Sequence, residues 1–427
     1  MRFRVGISLM IVSALAAGCA RAAETSSLPP WFALDVNGLI DARLALTSGT
    51  LSWEEGGLGK VRWGSSDGDP GVIARPEGAL VVQPRFGFDL EGFVHLQASS
   101  QQRPAVDVVE AYLAYETPPS SRFGLQVKGG FFFPHISVEN TGLAWTSPYT
   151  ITSSAINTWI GEELRTVGGE ITATWRPDAL SELGTTGSVY YFNDPTGTLL
   201  AWRGWTLSDR EAGLFDRIRV PMVRLIAPGA PLDEQALTEE PFHEIDAKQG
   251  YYLGAHAAHE DYGRLQIHWY NNNADDRELK FGQWAWRTKF WSAGYTSPSW
   301  ADITFLAQAM TGTTTVITRP APRGPFVDTK FWSVYGLVSK EWDRHRLSLR
   351  LERFGADDRD TSVDDNNERG TGITAAYVYR PADRHRLTLE VLHVSSRRPE
   401  RIFLGFPEKA KETVLQASYR LFFGTGN

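Results

Sequence analysis

The chain has 427 residues, a formal charge of −7 and a mean hydropathy of −0.27. That acidic balance disfavours nucleic acid as a partner, and a single cysteine, Cys19, excludes a disulfide framework. Past the first turns of the chain no apolar run reaches the ~18 residues of a membrane helix, yet 12% of residues are aromatic and 15 are tryptophan, which suits a membrane β-barrel with aromatic girdles.

Met1 to Arg4 is basic, Val5 to Gly18 is apolar, and Ala20-Arg-Ala22 is an A-x-A site, so residues 1–22 read as an export signal. Leu15 to Cys19 offers a lipoprotein site instead, to which Ala16 fits poorly. Cleavage after Ala22 removes Arg2, Arg4 and Arg21 and leaves a barrel domain over 23–427 with a charge of about −10.

Downstream the apolar residues recur with a period of two, the signature of strands with one apolar face. The first strand lies near Phe32 to Leu46, a short second one over Gly56 to Gly64, and a third over Arg85 to Ala98. Val106 to Thr117 turns through Pro118–Ser121 into Arg122 to Phe133, where Phe123, Leu125, Val127, Phe131 and Phe133 oppose Arg122, Gln126 and Lys128. Pro134 ends that strand, because proline cannot donate to a ladder. The stretch 134–163 has no period but holds Trp145, Tyr149, Ile156 and Trp159. A loop of that length and apolarity between two strands reads as an inward-folded constriction loop. Strands resume at Val167 to Arg176 and Gly184 to Asn193, and a long outer loop over 194–248 follows. Nine more run from Gly250 to Phe423.

From Val106 onward the connections alternate short and long, which a soluble sandwich or propeller has no reason to do. Outer-membrane barrels have short periplasmic turns and longer outer loops. The expectation is an all-β chain, a transmembrane antiparallel β-barrel of about sixteen strands, wide enough to enclose water. The apolar parity meets lipid, with Trp31, Trp269, Trp284, Trp300, Trp342 and Tyr419 in the girdles. The opposite parity, including Lys128, Glu170, Arg176, His268, Arg287, Lys289, Arg350 and Glu352, faces the lumen. Asp343-Arg-His-Arg-Leu-Ser-Leu349 and Asp383-Arg-His-Arg-Leu-Thr-Leu389 repeat one solution for a short turn entering a strand.

The run Lys128-Gly-Gly-Phe-Phe-Phe-Pro-His-Ile-Ser-Val-Glu139, after the strand Glu110 to Tyr115, resembles the strand-to-loop passage of the phosphate-selective porin O/P family. The resemblance implies a sixteen-stranded outer-membrane channel for small solutes, usually a homotrimer. It also implies a ladder of basic residues in selective members; the lumen charges expected here are mixed, and anion selectivity is not carried over.

Other chemical signals are weaker. His393 and Ser395 share one strand face, the arrangement of a barrel enzyme acting on lipid, but no orienting acid is evident. His256 and His259 point to opposite faces, which disfavours a metal. The acidic run Asp357 to Asn367 lacks calcium-loop spacing. We therefore expect a non-enzymatic porin of the outer membrane of a Gram-negative bacterium, a passive diffusion channel for small polar or ionic solutes, surrounded by outer-membrane lipid and needing no cofactor. His135, Glu139, Glu162, Glu163 and Arg165 are the expected constriction residues, and Lys128, Arg176, Arg287, Lys289 and Arg350 the expected pore lining. The alternatives are the lipid enzyme and a structural or adhesive barrel plugged by the 194–248 segment.

Overall fold

The computed structural model describes residues 29, 31–48, 51–64, 70–118, 122–317 and 325–425. The proposed export signal and Cys19 lie outside them. Sixteen strands form the wall. They are β1 (Phe32–Thr47), β2 (Gly71–Phe86), β3 (Leu90–Ser99), β4 (Val106–Glu116), β5 (Phe123–Phe132), β6 (Thr166–Trp175), β7 (Ser181–Tyr191) and β8 (Gly250–His259). The second half comprises β9 (Gly263–Asn271), β10 (Arg287–Thr296), β11 (Ile303–Val316), β12 (Val327–Trp342), β13 (His345–Asp358), β14 (Glu368–Ala382), β15 (His385–Arg397) and β16 (Lys409–Gly424). Each is antiparallel to its sequence neighbours, and β1 pairs with β16 from Asn37↔Gly424 to Thr47↔Val414, closing the barrel. Closure leaves no unpaired sheet edge, the condition for spanning lipid with strands.

The two faces are inverted relative to a soluble sheet. On β13, Leu347, Leu349 and Leu351 are exposed, while Ser348, Arg350 and Glu352 are buried. The same holds on β15 for Leu387, Leu389 and Val391 against Thr388 and Glu390. Exposing the apolar parity is favourable only where the outside is itself apolar.

Two strand expectations need correction. Gly56 to Gly64 is not a strand; after a 3₁₀ turn at Trp53–Glu55, closed by Gly56 at φ 85°, it runs through the lumen. There Trp63 donates to Gln416 Oε1 (2.8 Å) and Ser52 Oγ donates to the Arg62 carbonyl (2.7 Å). The second wall strand is β2, which carries Pro76 and Pro84. The β2–β3 ladder skips from Val82↔Val94 to Arg85↔Glu91 around Pro84, which has no N–H to give. The segment expected as one strand over Arg85–Ala98 contains the β2–β3 turn, with Gly87 at φ 68°.

The long connections lie at one end, and three of them fold inward: 51–64, 133–165 and 192–249. Helix α1 (Ala155–Glu163) is buried on every residue, and Ser154 caps it by accepting from the Asn157 N–H. Trp159 of α1 packs edge-on against Phe290 (5.4 Å) and Phe331 (5.3 Å) of the wall, and against Trp205 (6.1 Å). A second helical turn, α2 (Thr198–Trp202), lies buried beside it.

Candidate functional site in the barrel lumen

Every wall strand contributes an inward-facing side chain that is at most 9% exposed, from Arg43 on β1 through Glu110, Tyr252 and Arg350 to Gln416 on β16. The barrel is therefore packed across its section by its own loops. Polar groups do much of this packing. Arg350 on β13 pairs with Glu139 of the loop and with Glu352 (3.0 Å), and donates to the Thr152 carbonyl (2.8 Å). Glu352 accepts from the Ala155 N–H (2.8 Å), and Glu390 accepts from the N–H of Ile151 (2.6 Å). The wall thus holds the 139–155 stretch through backbone amides that no regular element satisfies.

Below this belt, toward the short turns, a chamber of about 540 Å³ opens, lined by the underside of the loop at His135, Ser137 and Tyr149 and by wall residues Arg176, Glu182, His256, Arg264 and His268. Glu182 lies between Arg176 (3.0 Å), His256 (3.1 Å) and Arg264 (3.4 Å). His135 is the one expected constriction residue facing open space. The Lys128 ammonium, 3.2 Å from its Nε2, lowers its pKa to about 4, so the ring is neutral at pH 7.

The remaining expected residues are distributed as follows. Glu139, Glu162, Glu163 and Arg165 are fully buried. Glu162 pairs with Arg203 of the 194–248 segment, while Glu163 accepts from the Leu199 N–H (2.9 Å) and the Gly197 N–H (3.3 Å). Burial raises the Glu163 pKa, and the buried Glu239 carboxylate of a short outer hairpin lies beside it, its own pKa raised by burial and further by the like charge of Glu163. Arg165 donates to the Gly161 carbonyl (2.8 Å) and stacks over Phe133 (3.8 Å); burial lowers its pKa to about 10. Lys128 is buried against Glu170 (2.9 Å), and Arg176 is half-buried at the chamber wall. Arg287 and Lys289 do not line the lumen. They share the outward parity of Trp291, and Arg287 pairs with Asp276 of an outer loop (3.2 Å). They sit at the long-loop end of β10, beyond the lipid-facing residues, where outward polar side chains meet water.

One feature was missed. Arg346, Arg380, Arg386 and Arg420 face inward on the four adjacent strands β13–β16 near the short turns. Glu341 takes Arg346 and Arg380, and Asp41 takes Arg420 (2.8 Å). Arg386 stands directly opposite Arg420, lies over the Phe422 ring (5.0 Å), and has no ion-pair partner among the described residues. Parity could have shown this, since the second arginine of each Asp-Arg-His-Arg repeat falls in phase with Arg350 or Glu390.

Among the described residues, Asp194, Glu244 and Asp246 are the group close enough to hold a cation. Burial pushes Asp194 up to about 7. The cluster already accepts from the N–H groups of Ile245 (2.6 Å), Phe192 (2.9 Å) and Lys248 (2.7 Å), so it orders the loop as it stands. His393 is hydrogen-bonded with Thr413 (2.8 Å) on the outer wall.

No protein-family model and no curated protein matches the chain. Solved barrels do. A loop L8 deletion mutant of OmpT, an outer membrane protein of Vibrio cholerae, aligns over 92% of this chain and 100% of its own at 8% identity and TM-score 0.51. The trimer form of in-vitro folded OmpT aligns over 92% and 99% at 9% identity, TM-score 0.51. The outer membrane channel DcaP of Acinetobacter baumannii aligns over 91% and 97% at 10% identity, TM-score 0.50. The chain has the fold of these outer-membrane barrels.

Proposed function

We propose that the protein is an outer-membrane porin, a passive diffusion channel for small hydrophilic or ionic solutes. The observation that carries this reading is the inverted barrel: a closed wall with apolar residues outside and charged ones inside. An apolar interior would have been cheaper to bury, since each buried ion loses hydration. Arg386, which has no ion-pair partner among the described residues and stands in a row of arginines, supports a preference for anions at the short-turn mouth. DcaP is a channel and OmpT has a trimer form; by analogy we extend conduction and trimerisation to this chain. No enzymatic role is proposed, because His393 engages Thr413 and has no carboxylate partner among the described residues.

The packed section favours a second reading, a barrel closed by its loops. Single-channel recording on the refolded chain in a planar bilayer under a salt gradient separates the two. Discrete steps with a reversal potential of anion sign are expected. A heat-modifiable barrel that stays silent sinks the porin reading in favour of the plugged one.

A further inference from the structure

All outward-facing lysines and arginines of the described wall strands lie on β10–β16, and at the long-loop end of β13–β16 they form two rungs. In the first, Arg369, Arg397 and Lys409 are direct cross-strand neighbours. In the next, Arg353 pairs with Thr371, Thr371 with Ser395, and Ser395 with Lys411. The rungs enclose an open depression of about 510 Å³ on the outer face. Arg369 is offset by Asp357 and Arg397 by Glu408 (2.7 Å). Arg353, Lys409 and Lys411 have no ion pair among the described residues. Like charges placed directly opposite on a sheet repel, and among the described residues these five cations share two carboxylates, Asp357 and Glu408.

The next rungs identify the source of the anion. Immediately toward the membrane come Leu351↔Ile373 and then Leu349↔Ala375, with Val391 opposite Leu415, all facing out. Leu351, Ile373, Val391 and Leu415 are each more than 40% exposed. An anion held by the basic rungs has Leu351 and Ile373 beside the hydrogen-bonded pair His393 and Thr413 directly beneath it, and a wholly apolar rung below that, where acyl chains lie. We propose that this face binds the phosphate headgroup of a phosphorylated lipid in the leaflet on the long-loop side, with Ser395 and Thr371 donating hydroxyl hydrogen bonds between the cations. The proposal rests on the barrel spanning the outer membrane with its long loops outside.

The test uses the full-length mature chain refolded in neutral detergent and titrated with lipid A, phosphatidylcholine or inorganic phosphate, with bound adducts read by native mass spectrometry. Retained lipid A adducts are expected. They should weaken on the order of a hundredfold in the combined Arg353→Gln, Lys409→Gln, Lys411→Gln variant, since each basic residue near an anionic lipid surface contributes about a factor of five. Lys340→Gln, outward at the opposite end, should leave them intact. Undiminished adducts in a heat-modifiable triple variant overturn the proposal, as does equal binding of phosphatidylcholine or displacement by inorganic phosphate. If the triple variant fails to fold, salt dependence decides on the native chain: lipid A affinity that ignores ionic strength overturns it equally. A silent barrel that retains lipid A overturns the channel and spares this site, while a conducting barrel indifferent to the substitutions does the reverse.

Discussion

At the scale of single residues, the most consequential side chain is Arg350. It is fully buried, as are Glu139 and Glu352 that flank it, and Glu390 adds a third carboxylate to its surroundings. Breaking such a pair by removing one partner costs about 3–5 kcal/mol, because the charges left behind stay dehydrated. Arg350→Ala should therefore lower barrel stability by about that amount, measured as a reduced urea midpoint of the folded band on a cold gel. Adding Glu139→Gln and Glu352→Gln should restore most of it. A midpoint unmoved by Arg350→Ala would mean that water already reaches the cluster and that the section is not packed as described.

At the scale of elements, α1 and the short outer hairpin Ile218–Arg219/Thr238–Glu239 meet through Glu163 and Glu239. Both carboxyls are buried and both pKa values are raised. Arg203, Glu162 and the Trp159 indole face the same spot, with the Leu199 and Gly197 amides. A raised carboxyl pKa means the docked state holds its proton more tightly than the undocked one. Docking is then strongest below the ordinary glutamate range and weakens as pH rises through the docked-state values. Hydrogen exchange of residues 218–239, corrected for intrinsic rate, should be slower at pH 5 than at pH 9. Glu239→Gln should abolish most of the difference. Equal protection at both pH values in the native chain would show that the pair is not proton-coupled. The contrast with the wall is instructive, because there each strand is fixed by ladders that do not titrate.

At the scale of the whole molecule, what could be read from the sequence follows how local its causes are. β13–β16 alternate cleanly over long strands, so their existence, pairing and faces were legible from period alone. β2 was not, because Pro76, Gly78 and Pro84 interrupt its pattern. The lumen packing was not legible either, since its ties join distant positions without period: Lys60 to Glu368, Glu162 to Arg203, the Lys60 carbonyl to the Leu207 N–H (2.7 Å). The segment 198–240 contributes α2, Trp205, Leu207 and the outer hairpin to the lumen but no wall strand, so the closed ladder does not depend on it. Joining Gly197 to Pro241 through a short Gly-Ser linker should leave a heat-modifiable barrel and raise its conductance severalfold. Water would then reach Glu162 and Glu163, and their burial cost would disappear. If the shortened barrel folds but conducts as the native chain does, the passage is set elsewhere, at the 139–155 stretch held by Arg350, Glu352 and Glu390. If it no longer folds, the inner segment is part of the barrel's core and not a removable plug.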